Sequence, residues 1–229
     1  MATLVEGCHS PLLYFAKCMN PGIAMVQSQG LAFWSSESMN FSVLTLSAGV
    51  VALAEMGDKT QLLSLMLAAR YPKHVPAIIG GIFISTIANH AGAAFLGHWL
   101  TVFIGPDRLR WVLGISFLAI GLWLLVPDKI DETSRPKDAN SAMQIFFLTA
   151  GLFFLAEMGD KTQIATIALG ARYADVVSVT TGTTLGMMLA NVPAVWLGQK
   201  FTQKMPIQWV HAFAAVVFMV IGIATVVWG

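Results

Sequence analysis

Glu, Asp, Lys and Thr stand within six residues of one another in the stretch AEMGDKTQ at 54–61, and the same eight residues return unchanged at 156–163. Glu55, Asp58, Glu157 and Asp160 can serve as proton carriers or as hard oxygen ligands, while Lys59 and Lys161 balance part of their charge. On a regular helix at about 100° per residue, Glu55, Asp58 and Lys59 fall within an arc of roughly 100°, and Thr60 lies outside it. Gly57 and Gly159 sit between the acids as expected hinges, because a residue without Cβ lets the helix unwind or another backbone approach closely. An unwound turn would bring Thr60, Thr162 and backbone carbonyls toward the carboxylates.

Four carboxylates and two ammonium groups gathered at one place sum to −2, which balances one divalent cation. The donors on offer are carboxylates, the hydroxyls of Thr60 and Thr162 and the amides of Gln61 and Gln163. These are hard oxygen donors of the kind that hold Mg²⁺, Ca²⁺ or Mn²⁺ rather than Cu⁺. Ser64 and Thr166 are further candidates, and so are Asn89 and Asn191, which serve equally as cation ligands or as interhelical hydrogen-bond partners. A bland alternative exists, since Glu55 and Lys59 at i,i+4 form a favourable helix pair. A buried ion pair is nevertheless weak evidence of stabilisation.

The elements that must position these groups are apolar. The chain has 229 residues, 56% hydrophobic and 11% charged, where a soluble domain carries about 25% charged residues. Runs free of Asp, Glu, Lys and Arg cover 41–54, 75–106, 111–127, 141–156, 176–199 and 205–229, and several exceed the ~20 residues that cross a bilayer. The expected fold is an all-α integral membrane protein with six transmembrane helices. Both acidic motifs then fall near the middle of a span, where an ionisable group costs about 2.5 kcal/mol or more and is retained chiefly for paths, relays or paired sites.

A shift of 102 residues aligns not only Glu55 with Glu157 but also LAARY at 67–71 with LGARY at 169–173, Ser64 with Thr166, and Asn89 with Asn191. The chain is an internal duplication of three spans per copy, and an odd number of crossings turns the second copy upside down, giving two inverted three-helix repeats. The repeats cover 41–127 and 141–229, joined by a charged linker at 128–140, and residues 1–40 form an extension of uncertain structure. Arg70, Lys73, Lys129, Arg135, Lys137, Lys200 and Lys204 fall on one side, against Lys17, Arg108, Arg110 and Arg172 on the other. The larger group marks the cytoplasmic face, so both termini face outward.

Other features carry less. His90, His98 and His211 have no counterparts at matched positions, which favours packing or interfacial roles. Met56 and Met158 read as packing residues. Cys8 and Cys18 precede the first span, so no thiolate centre lies inside the membrane, and the formal charge of +1 gives no reason to expect nucleic acid.

Glu-x-Gly-Asp-Lys-Thr, present at 55–60 and again at 157–162 with three spans from each start, resembles the signature of a cation/proton antiporter family. That family includes the Golgi calcium/manganese transporters, the chloroplast manganese transporters and the bacterial manganese exporters. The resemblance covers about 41–229. It implies that the acids and Thr of each motif bind the cation, that protons and a divalent cation (Mn²⁺, with Ca²⁺ as alternative) are the exchanged partners, that no resident cofactor is needed, and that the chain is not an enzyme. Compact length and the lack of an Arg- and Ser-rich leader favour the bacterial branch and hence the inner membrane. Two other readings compete. A membrane-embedded lipid pyrophosphate hydrolase needs a phosphate clamp beside its acids, but Arg70 and Arg172 lie 12 residues past Asp58 and Asp160, some ~18 Å along a helix. A passive channel would conduct without protonatable ligands.

Overall fold

The computed structural model describes residues 39–126, 139, 141–197 and 207–228. The extension (apart from Met39 and Asn40), the linker (apart from Ala139), both cysteines and the basic residues Lys17, Lys129, Arg135, Lys137, Lys200 and Lys204 lie outside them. Among the described residues every regular element is helical. In chain order the helices are α1 (Phe41–Glu55), α2 (Lys59–Arg70), α3 (Val75–Phe103), α4 (Pro106–Trp123), α5 (Ala142–Glu157), α6 (Lys161–Tyr173), α7 (Val176–Leu197) and α8 (Ile207–Trp228).

Each first helix of a repeat starts at a side-chain cap, which supplies partners for the orphan amides of the first turn. The Asn40 carboxamide oxygen accepts from Ser42 N and Val43 N, and the Ser141 hydroxyl accepts from Gln144 N. Each then stops at the motif glutamate and resumes at the motif lysine, so that α1 with α2 and α5 with α6 form pairs bent by 73° and 72°. Among the described residues, two unbroken helices are long and apolar enough to cross a membrane, spanning Pro72–Thr101 and Trp209–Val227, and four segments qualify if each bent pair counts as one. The other two expected spans are less apolar for visible reasons. α4 carries Asp107, Arg108 and Arg110 in its first turns, and α7 gives much of its length to Ser, Thr, Gly and Asn.

The helices of the two repeats interleave. α1 packs along α7 and α5 along α3, each through glycines on the longer helix: a Cβ on Gly186 would stand 2.4 Å from Ala48 O, and one on Gly81 would stand 2.7 Å from Phe146 O. α4 and α8 pair with each other, their Phe117 and Phe218 rings 6.2 Å apart, and share a core with α1 and α6. Outward faces carry large apolar side chains such as Phe41, Phe103, Ile115, Trp196 and Trp209. Such a surface suits hydrocarbon, and it leaves the polar residues of the interior to partner one another.

Candidate cation site

Both breaks have the same backbone. Met56 sits at φ −64°, ψ 116° and Met158 at φ −64°, ψ 118°, followed by Gly57 at φ +83° and Gly159 at φ +77°. The turns close with Asp58 N–H donating to Glu55 O and Asp160 N–H donating to Glu157 O, both at 3.1 Å. These angles are those of a type II turn, which needs a positive φ at its third residue and therefore a glycine. The Gln61 side-chain oxygen accepts from Gly57 N at 2.9 Å, and that of Gln163 from Gly159 N at 2.7 Å, so each glutamine braces the turn four residues before it.

Four helix ends thus meet in the interior. Glu55 and Glu157 close α1 and α5 at their carbonyl ends, and Asp58 and Asp160 open α2 and α6 at their amide ends. All four carboxylates are buried. Neither Asp caps its own helix; each faces the lysine of the other motif. Lys161 Nζ lies 2.8 Å from Asp58 Oδ1, and Lys59 Nζ lies 3.1 Å from Asp160 Oδ1. The i,i+4 pairing of Glu55 with Lys59, open to a continuous helix, is replaced by this crossed pairing because the break re-aims the lysines.

One carboxylate oxygen each from Glu55, Glu157 and Asp160 lies within 4.8 Å of the others, a spread that a cation with oxygens at about 2.3–2.6 Å can bridge. Among the described residues this is the acid group close enough to share one ion, and Asp58 falls outside it, held by Lys161. Glu55 Oε2 and Glu157 Oε1 are buried with no hydrogen-bond partner, as a binding site for a desolvated cation requires and a purely structural cluster does not. The Thr162 hydroxyl donates to Glu157 Oε2 at 3.2 Å and lies 3.5 Å from Asp160 Oδ2, while the buried Thr60 hydroxyl has no hydrogen-bond partner.

The remaining candidates take up supporting positions. Asn191 Nδ2 lies 3.4 Å from Glu55 Oε1, with its own carbonyl oxygen unpartnered, and Asn89 Nδ2 donates to Phe154 O at 3.2 Å. Both asparagines tie the long helix of one repeat to the broken helix of the other. Ser64 donates to Gln61 O and Thr166 to Thr162 O, each at 2.8 Å, so both hydroxyl protons turn back into their helices.

Two of the histidines expected in packing or interfacial roles stand beside the acids or the break. His90 Nε2 lies 3.8 Å from Glu157 Oε2, with the ring fully buried. His211 Nε2–H donates to Met56 O at 2.7 Å, satisfying a carbonyl freed by the break. The 102-residue shift hides both, since their matched positions hold Val192 and Leu109. The available signal for His90 was its place next to Asn89, deep in an uncharged run.

Broken helices whose ends meet around buried ionisable groups are the construction of secondary transporters. Residues 43–132 and 145–229 match the family described as divalent cation/proton antiporter GDT1. The chain belongs to that family, and it is a membrane transporter rather than an enzyme. It is 51% identical over 185 residues to a Vibrio cholerae protein named "Putative manganese exporter", covering 80% of this chain and 90% of that one. It is 36% identical to a GDT1-like protein of Schizosaccharomyces pombe, over 78% of this chain and 87% of the relative. A GDT1-like protein of Synechocystis is 31% identical over 66% of this chain and 80% of its own length. No solved structure matches the chain.

Proposed function

We propose that the chain exports Mn²⁺ in exchange for protons across a bacterial cytoplasmic membrane. In this reading the two copies are inverted repeats of three spans, 41–127 and 141–229, with the linker and the basic residues Arg70 and Lys73 on the cytoplasmic face and both termini outside. Glu55, Glu157 and Asp160 hold the cation, with Thr60 and Thr162 within reach. Asp58 and Lys161, and Asp160 and Lys59, fix the helix ends against each other. Gly57 and Gly159 are the hinges.

The observation that carries the proposal is the convergence of three fully buried carboxylates from both repeats, two of them with an oxygen free of hydrogen bonds. Cation and proton compete for those oxygens, since a carboxylate binds a divalent ion in its charged form and must release its proton first. A carrier that alternates between loading one or the other on opposite sides of the membrane is an exchanger without a separate proton path. Ca²⁺ uses the same donors; the name of the Vibrio cholerae relative favours Mn²⁺.

The test is uptake by vesicles containing the purified chain. Mn²⁺ flux that is driven by an imposed pH gradient, exceeds Ca²⁺ flux and is matched by counter-movement of protons is expected. Flux indifferent to the pH gradient would make the protein a channel and end the exchanger reading.

A further inference from the structure

His90 breaks the symmetry of the site. Its matched position in the second repeat is Val192, so only one repeat brings an imidazole to the carboxylates. The ring is fully buried, and neither Nδ1 nor Nε2 makes a hydrogen bond. A buried imidazole with both nitrogens unbonded is costly to keep unless something else occupies one of them.

Its neighbour supplies the partner. Nε2 lies 3.8 Å from Glu157 Oε2, too long for a hydrogen bond. Two atoms about 2.2 Å from a common ion, a length between those of Mg²⁺ and Ca²⁺, stand roughly 3.1 Å apart at right angles and roughly 4.4 Å apart when opposite. The observed separation lies inside that range, so His90 and Glu157 can share an ion as they stand, while no nitrogen of His90 lies within 4.8 Å of all three grouped carboxylate oxygens. Asn89, one residue earlier, fastens α3 to the Phe154 carbonyl on α5 and so sets the register that presents His90 to Glu157.

We propose that His90 is a ligand to the transported cation, contributing one nitrogen to an otherwise all-oxygen set and biasing the site toward Mn²⁺ over Ca²⁺. This rests on the Mn²⁺ reading given above. Imidazole nitrogen binds first-row transition ions well, while Ca²⁺ takes oxygen almost to the exclusion of nitrogen. With oxygens alone the two ions differ mainly in size; one nitrogen gives chemical discrimination. A single such ligand also leaves the carboxylates to carry the charge balance.

The experiment is pulsed electron paramagnetic resonance of Mn²⁺ bound to the full-length protein, with Mn²⁺ and Ca²⁺ affinities measured alongside. Wild-type protein should show coupling of Mn²⁺ to a ¹⁴N nucleus, and that coupling should vanish in His90→Gln. In His90→Gln and in His90→Val, the residue of the matched position, the ratio of Mn²⁺ to Ca²⁺ affinity should fall roughly tenfold or more, the scale on which site residues tune metal affinity. Mn²⁺ binding without nitrogen coupling in the wild type would show that His90 merely faces Glu157, and would overturn the proposal while leaving the exchanger reading intact. Coupling that persists in His90→Gln overturns it equally. Absence of Mn²⁺ binding to the wild type would overturn both.

Discussion

The second arms of the two repeats, α2 and α6, begin with the same Lys-Thr-Gln, share six of twelve matched residues and are packed differently. α6 lies tight against α3: a Cβ on Gly97 would stand 2.1 Å from Ile167 O, and one on Gly170 would stand 2.5 Å from Ala94 O. The residue matched to Gly170 is Ala68, whose methyl group denies α2 the same approach to α7. The facing sequence differs too, since the position matched to Gly97 holds Gln199. The same asymmetry holds at the site, where Lys161 on α6 is 0% exposed and Lys59 on α2 is 28% exposed. Two equal motifs thus frame a site that is closed around one lysine and partly open around the other.

The largest effects are expected from the acids, whose roles cross the comparison. Glu55→Gln and Glu157→Gln should each abolish Mn²⁺/proton exchange in vesicles, because each repeat supplies one of the two glutamates with a free carboxylate oxygen. If one variant retained full exchange, the repeats would not contribute equally to the cation and the shared-site reading would fail.

Next come the lysines, where the comparison is sharpest. Lys161→Met leaves Asp58 buried without its ammonium partner, and breaking a buried pair in that way costs about 3–5 kcal/mol. Lys59 is partly solvated, so water can replace some of what Lys59→Met removes, and a loss nearer ~1 kcal/mol is expected. Thermal unfolding of the two purified variants measures the difference. Equal midpoints would show that the two flanks are equally closed in the protein as it exists in detergent or lipid.

Much of this was legible in the sequence, and the rest was hidden for identifiable reasons. Uncharged runs and the 102-residue shift point to paired helical copies without any structure, since bilayer crossing and duplication both write long-range patterns. Gly57 and Gly159 mark the helix breaks because a positive φ admits few other residues. The crossed lysine pairs were not legible. A periodicity argument assumes a continuous helix, and on one Lys59 faces Glu55 of its own helix instead of Asp160 of the other repeat. His90 is not marked by the duplication, because its matched position holds Val192. Part of the difference between α2 and α6 was written at 68 and 170 and at 97 and 199, yet Ala against Gly says nothing until the facing backbone at Ala94 is known.

A smaller effect tests that cause directly. Gly170→Ala inserts a methyl group where Ala94 O leaves no room, and overpacking of this kind costs about 1–3 kcal/mol. The expected outcome is α6 displaced from α3, a lowered unfolding midpoint and faster hydrogen exchange in 161–173. Ala68→Gly should cost less, about 1 kcal/mol of helix propensity, since it adds no atoms to a close approach. If Gly170→Ala were neutral by both measurements, the close approach would not be what seals Lys161.

The smallest effect separates brace from ligand. Gln61 and Gln163 both accept from the glycine amide of their break, but Gln61 is buried and its Nε2 also donates to Ala190 O at 3.0 Å, tying the turn to α7, whereas Gln163 is partly exposed. Replacing either with Met keeps the volume and removes the amide. Gln163→Met loses one bond at a place water can reach. Gln61→Met loses that bond and a second one, the tie to α7. With a net worth near ~1 kcal/mol per hydrogen bond, Gln61→Met should be the more destabilised by about that amount. Mn²⁺ affinity should change little in both, because the oxygen removed is already committed to the turn. A large loss of affinity at unchanged stability would instead show that the amide oxygen leaves the glycine and joins the cation, and the two glutamines would then belong with the carboxylates as ligands.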